Sequence, residues 1–154
     1  MAGTLTPERT AERLCELSAD ARAAVLLDAA GSLAGVHGVP AERSEELAEL
    51  ARELFEAVDR ADRDIPGGPP EQVEAQVEGG TVYASRTPRW TLAVVGRRAA
   101  LSSLMLMDLR AVLGELEEGR RIRRSTAAEE PGGGEATEEG AASGSPVPEL
   151  GREE

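Results

Sequence analysis

The sequence predicts an α+β sandwich, a five-stranded antiparallel sheet with helices on both faces, in the order α-β-β-α-β-β-β-α. Three observations carry that expectation. Apolar residues recur at helical spacing near the start, over about 41–62 and over about 99–118. Between these stretches lie short apolar or strictly alternating runs suited to strands. Glycine and proline punctuate the runs, as hairpins and linkers require.

The first helix begins at Thr6-Pro7-Glu8, a hydroxyl cap, a residue whose φ is already set, and an early acid. It runs to about Leu17, with Ala11, Leu14 and Cys15 on its buried side. Ala23 to Asp28 is an apolar strand, turned at Ala29 to Ser32 and answered by Leu33 to His37 as a hairpin. Pro40 then leads into the strongest helix, Ala41 to Asp62. Leu47, Leu50, Ala51, Leu54 and Val58 form one continuous stripe expected to pack on the sheet. Ala48 and Phe55 widen it onto a neighbouring face. Glu42, Glu45, Glu46 and Glu49 crowd its first half, where the helix dipole favours acids.

Ile65 to Pro70 cannot continue a helix and reads as a linker. Val73, Ala75 and Val77 alternate with Gln72, Glu74, Gln76 and Glu78, the pattern of a half-buried strand. Gly79-Gly80 is a two-residue hairpin signal, and Thr81 to Arg86 returns along it. After the turn at Thr87-Pro88-Arg89, Trp90 to Val95 is a third, more apolar strand. The last helix, about Ala99 to Glu118, is apolar at Leu101, Leu104, Met105, Leu109, Val112, Leu113 and Leu116. The first hairpin is expected to join the same sheet as the later meander, because two strands alone are marginal in water.

Composition divides the chain in two. Residues 125–154 hold eight acids against one arginine, with six glycines and three prolines, and so little apolar surface implies a disordered acidic tail. Residues 1–124 suit one compact domain, with a core over about 5–118. The formal charge of -12 divides accordingly, -7 on the tail and -5 on the body.

Composition also excludes function classes. All 17 basic residues are arginine, so P-loop lysines and lysine Schiff bases are impossible. One Cys and one His cannot supply a Cys/His zinc cage or an internal disulfide. The acidity argues against nucleic-acid binding, which draws its affinity from phosphate neutralisation. Aromatics are only Phe55, Tyr83 and Trp90, too few for a base-stacking platform. No apolar run approaches the length of a membrane helix, the first 20 residues lack a leader-like apolar core, and the lone thiol fits a reducing compartment; a cytoplasmic location is therefore expected. No cofactor or metal is expected.

No catalytic constellation can be named. His37 sits at a strand end without a placed nucleophile and reads as a surface or capping residue. Cys15 lies on an apolar stripe and reads as a structural thiol. Gly31, Gly35 and Gly38 read as turn glycines, since no strand–Gly loop–helix order surrounds them. The acids of the second helix read as a solvated face, with Glu56–Arg60 in the favourable acid-before-base order. Arg120, Arg121, Arg123 and Arg124 read as cations complementing the negative end of the last helix and pairing with the tail; a contact for an acidic partner or an anionic lipid surface is the alternative.

The element order and several strings resemble the roadblock family (the dynein light-chain roadblock type), and more closely its bacterial small-GTPase-partner branch. The strings are AAVLLDAAGSLAG over 23–35, the helix ERSEELAELARELFEAVDRA, the hairpin EGGTVYASR, and WTLAVVGRRAALSSLMLMDLRAVLGEL. The resemblance spans about residues 5–118 and implies a roadblock/profilin-like sandwich acting as a non-enzymatic homodimeric scaffold. Such a scaffold binds a Ras-like small GTPase and modulates its nucleotide cycle. Dimers of this family imply a two-fold contact of the second helix with its mate and pairing of strand 72–78 across the axis, which points to Ala48, Ala51, Arg52, Phe55, Val73, Ala75 and Val77 as the dimer or partner interface. A second reading is a small-ligand sensory or adaptor domain of profilin-like type, with Met105 and Met107 lining an adaptable pocket between sheet and last helix.

Overall fold

In a computed structural model, which describes residues 3–62 and 66–133, the chain forms three helices and five strands in the expected order. They are α1 (Pro7–Leu17), β1 (Ala21–Leu27), β2 (Leu33–His37), α2 (Ala41–Asp62), β3 (Gln72–Val77), β4 (Gly80–Arg86), β5 (Thr91–Gly96) and α3 (Ser102–Gly133). All five strands join one antiparallel sheet in the order β2-β1-β5-β4-β3. The first hairpin does dock on the meander, through β1 against β5. The outer strands are β2 and β3.

Side-chain alternation along each strand feeds two cores, one per face. On one face Ala24, Leu26, Tyr83, Leu92 and Val94 meet α1 and α3 through Leu14, Met105, Leu109 and Leu116. On the other, Val25, Leu27, Val82, Ala84 and Ala93 meet α2 through Leu47, Ala48, Ala51 and Phe55. Burying each large side chain contributes roughly 1.5–3 kcal/mol, so both layers hold the sheet.

The turns follow from local chemistry. The carboxylate of Asp28 accepts from the amides of Ala30 and Ser32, both at 2.9 Å, and Gly31 takes a φ of 88° between them. Thr6 stands at the cap position of α1 but its side chain caps nothing; instead the Thr10 hydroxyl donates back to the Thr6 carbonyl at 2.8 Å. Gly35 is required by close approach: a Cβ there would lie 2.4 Å from the Pro7 carbonyl oxygen, so α1 rests directly on β2.

Two expectations change. First, α2 is rotated about its axis. Leu47, Ala48, Ala51 and Phe55 face the sheet and are buried, whereas Leu50, Leu54 and Val58 are only half-buried. The alanines let the helix backbone approach the strands closely, and the largest apolar side chain, Phe55, takes the covered site. Second, α3 continues well beyond Glu118, to Gly133. Gly119 does not stop it; that position is glycine because the segment at Thr4 and Leu5 packs over it, where a Cβ would lie 3.0 Å from the Leu5 carbonyl oxygen. Helix-favouring Arg, Ala and Glu follow. The segment expected as a disordered tail therefore begins as helix as far as Gly133, and its remainder, 134–154, lies outside the described residues.

Candidate functional site

The edge strand β3 is two-faced. Toward α3 it presents polar side chains that are engaged. Gln72 Nε2 donates to the Leu106 carbonyl at 2.9 Å, and the Ser102 hydroxyl donates to Glu74 at 2.7 Å. Toward α2 it presents Val73 and Ala75, half-buried, and Val77, 39% exposed. One side of the strand pairs in register with β4, from Gln72 opposite Ser85 to Val77 opposite Gly80. As the last strand of the sheet, β3 has no strand along its other side among the described residues, which leaves a row of backbone donors and acceptors open to strand addition.

Beside that edge lies the flank of α2. The helix crosses mainly β1, β5 and β2; half-buried Leu50 lines a hollow with Val77 and half-buried Val58 one with Gln72, so the flank that carries them and Leu54 faces β3. Hollows mark both ends of the seam. One of about 590 Å³ is lined by Leu47, Leu50, Val77 and Val82 with Arg22 and Arg43. The other, about 610 Å³, is lined by Val58, Ala61, Gln72 and the Pro66–Pro70 turn. Helix flank and strand together form an apolar band beside an open hydrogen-bonding edge.

Of the seven interface residues expected from sequence, the band contains Val73, Ala75 and Val77. It does not contain Ala48, Ala51 or Phe55, which are 0%, 0% and 5% exposed in the core and have no free surface for a second copy. Arg52 also lies elsewhere: its Nη1 donates to the Gly31 carbonyl at 2.5 Å and its Nη2 to Glu49 at 2.9 Å and Glu45 at 3.4 Å. Its guanidinium is held further above its ordinary pKa, chiefly by the Glu49 hydrogen bond. Arg52 ties α2 to the β1–β2 turn. Leu50, Leu54 and Val58, expected from sequence to pack on the sheet, are instead only half-buried beside the band, since the helix carries more aliphatic positions than one face can bury.

The remaining candidates are placed as follows. His37 is exposed at the end of β2. Cys15 is half-buried on α1, and burial pushes its thiol pKa up, away from nucleophilic reactivity. Met105 is buried in the core while Met107 is 58% exposed, so they do not line a common cleft; two helix positions two apart point about 200° apart. Among the described residues no group of three or more His, Cys, Asp and Glu is arranged to hold a metal, and no helix is long and apolar enough to cross a membrane.

Comparison with known structures returns the same architecture. The chain is similar to a Roadblock/LC7 domain from Streptomyces avermitilis, at 21% identity and a TM-score of 0.66, covering 74% of this chain and 97% of that one. It is similar to MglB of Myxococcus xanthus at 18% identity and a TM-score of 0.63, covering 77% of this chain and 88% of that one. The gliding protein MglB of Thermus thermophilus matches at 16% identity and a TM-score of 0.60, covering 78% of this chain and 96% of that one. At these identities the likeness is one of fold. No curated protein matches in sequence. The family model described as the Roadblock/LC7 domain matches residues 10–96, from within α1 to the end of β5. With the element order, the single five-stranded sheet and that match over more than half its length, the chain belongs to the Roadblock/LC7 domain family.

Proposed function

We propose that the protein is a non-enzymatic, cytoplasmic homodimeric scaffold that binds a Ras-like small GTPase and modulates its nucleotide cycle. The observation that carries the dimer is the open β3 edge flanked by Leu50, Leu54 and Val58. Two copies related by a two-fold axis would pair β3 with β3 into one continuous sheet and set the flanks of α2 side by side. That contact would satisfy exposed backbone groups and cover apolar surface at once. Val73, Ala75 and Val77 keep their expected place in it, while Leu50, Leu54 and Val58 replace Ala48, Ala51 and Phe55.

The GTPase partner rests on the resemblance to the bacterial small-GTPase-partner branch, supported by the fold likeness to MglB proteins, one of which is described with a tetrameric arrangement. Regulation would be mechanical: the scaffold must bind one nucleotide state more tightly than the other to shift the cycle. Arg52 is engaged with Glu45, Glu49 and Gly31, so no arginine is assigned to the hydrolysis reaction.

The experiment is sedimentation of the full chain followed by GTP hydrolysis and nucleotide release by small GTPases from the same genome. A dimer that changes either rate supports the reading. A monomer at high micromolar concentration with no effect on any of them sinks it. The ligand-sensor alternative is favoured by no observation, because the methionines that would line its cleft point apart.

A further inference from the structure

The arginines of α3 occupy an unexpected position. If the helix ended near Glu118 they would lie at its negative terminus and complement the dipole. It continues instead to at least Gly133, the last described residue, so they sit inside it, where like charges three and four residues apart repel. Arg120 meets Arg123 and Arg124 in this way, and Arg121 meets Arg124. The β4–β5 turn adds Arg89. Desolvation, and then the charges of Arg89, Arg124 and Arg123, lower the Arg120 pKa.

Little anionic charge offsets them. Glu117 lies 3.9 Å from Arg89 and also accepts from the Thr87 hydroxyl at 3.4 Å, and Glu118 pairs with Arg121. Arg123 donates to the Leu5 carbonyl, a neutral group, at 3.2 Å. Among the described residues Arg120 and Arg124 have no ion-pair partner. A cluster from two elements with one shared carboxylate is a surface suited to several negative charges.

We propose that Arg89, Arg120, Arg123 and Arg124 form a docking patch whose occupant is the chain's own acidic segment, residues 134–154. Charge complementarity is one argument: that segment carries six glutamates and one arginine. Reach is the other. Gly133 lies nine residues, or roughly 14 Å of helix, beyond Arg124. The 21 residues that follow can span up to about 3.3 Å each, so half a dozen suffice to return Glu138 and Glu139 to the patch. An anionic membrane is the less favoured occupant, since a chain of net charge -12 is repelled by it. The proposal does not depend on the dimer or the GTPase.

The test uses the full chain with the six glutamates of 134–154 changed to glutamine, and a fluorescent synthetic peptide of the native 134–154 sequence. The peptide is expected to bind this variant more tightly than the native chain, whose own segment competes. Adding Arg89→Gln, Arg120→Gln and Arg124→Gln should weaken binding about tenfold, and raising salt from about 50 to about 500 mM should do the same without any arginine substitution. Peptide that fails to bind, or that binds regardless of the arginines and of salt, overturns the proposal. So does arginine-dependent binding to phosphatidylserine vesicles with no arginine dependence for the peptide.

Discussion

The guanidinium of Arg86 donates to both carboxylate oxygens of Asp59, at 2.6 and 3.1 Å, and so fastens the C-terminal half of α2 to the end of β4. The same guanidinium lies 4.3 Å from the centroid of the Phe55 ring, and its Nε donates to the Pro70 carbonyl at 3.0 Å. One side chain thereby joins helix, strand and the Pro66–Pro70 turn at the end of the apolar seam. Because Asp59 is half exposed, water screens the pair. Arg86→Ala should destabilise the fold by about 1–2 kcal/mol, mostly through the ring contact and lost packing. A double-mutant cycle with Asp59→Ala should assign the ion pair less than about 1 kcal/mol of that.

That pair also predicts a pH dependence. The hydrogen bond from Arg86 lowers the Asp59 pKa below its ordinary 3.8. A depressed carboxylate adds stability above its unfolded value, and that contribution is lost as pH falls through the lower folded value. The native chain and Asp59→Asn should therefore differ in melting temperature at neutral pH, with the difference shrinking as pH falls past 3.8 and vanishing below the lowered folded value, as read by thermal unfolding across pH.

Asp108 should behave oppositely. Burial raises its pKa above 3.8, and among the described residues it has no ion-pair partner. Its charge opposes folding at neutral pH, fully so above the raised folded value, and the penalty vanishes below 3.8. Asp108→Asn should raise the melting temperature slightly at neutral pH and leave it unchanged below pH 3.8.

Neighbouring residues of α2 should separate folding from association. Phe55 is buried in the core, so Phe55→Ala should cost about 3–5 kcal/mol in denaturant unfolding. Leu54 is half-buried on the flank, where it touches the core, and Leu54→Glu should cost the single chain less than Phe55→Ala while shifting sedimentation from dimer toward monomer. If Leu54→Glu leaves the dimer intact, the two-fold contact lies elsewhere.

Gly35 offers a steric test. With the Pro7 carbonyl oxygen 2.4 Å from a would-be Cβ, Gly35→Ala must push α1 off β2. The expected loss is about 1–3 kcal/mol, measured by chemical denaturation, with secondary structure retained by circular dichroism. An Ala variant as stable as the native chain would contradict this packing.

Much of the architecture was legible locally. The bounds of α2 and β2 match the reading of the sequence, because a proline before the helix and a long apolar period leave little freedom. The alternation in β3 correctly separated Gln72 and Glu74 from Val73 and Ala75, since side chains must point to opposite faces. The continuation of α3 past Glu118 was not legible. Gly119 reads locally as a stop signal, whereas the structure makes it a close-approach glycine under the distant segment at Thr4 and Leu5.

By itself the sequence determined the fold class, the order of elements and the residues available for chemistry: no lysine, one Cys, one His and a surplus of carboxylates. Those depend on composition and near-neighbour periodicity. The tertiary structure alone decided which face of α2 the sheet covers, and hence that Ala48, Ala51 and Phe55 are core while Leu50, Leu54 and Val58 border the open edge. Apolar spacing says that a helix has a buried side, but when its apolar arc is wider than one contact, the strands and the Arg86–Phe55 contact choose the side. The arginines changed meaning for the same kind of reason. Their charge is local, but whether it complements a helix end or crowds a helix interior depends on where the chain stops being helical.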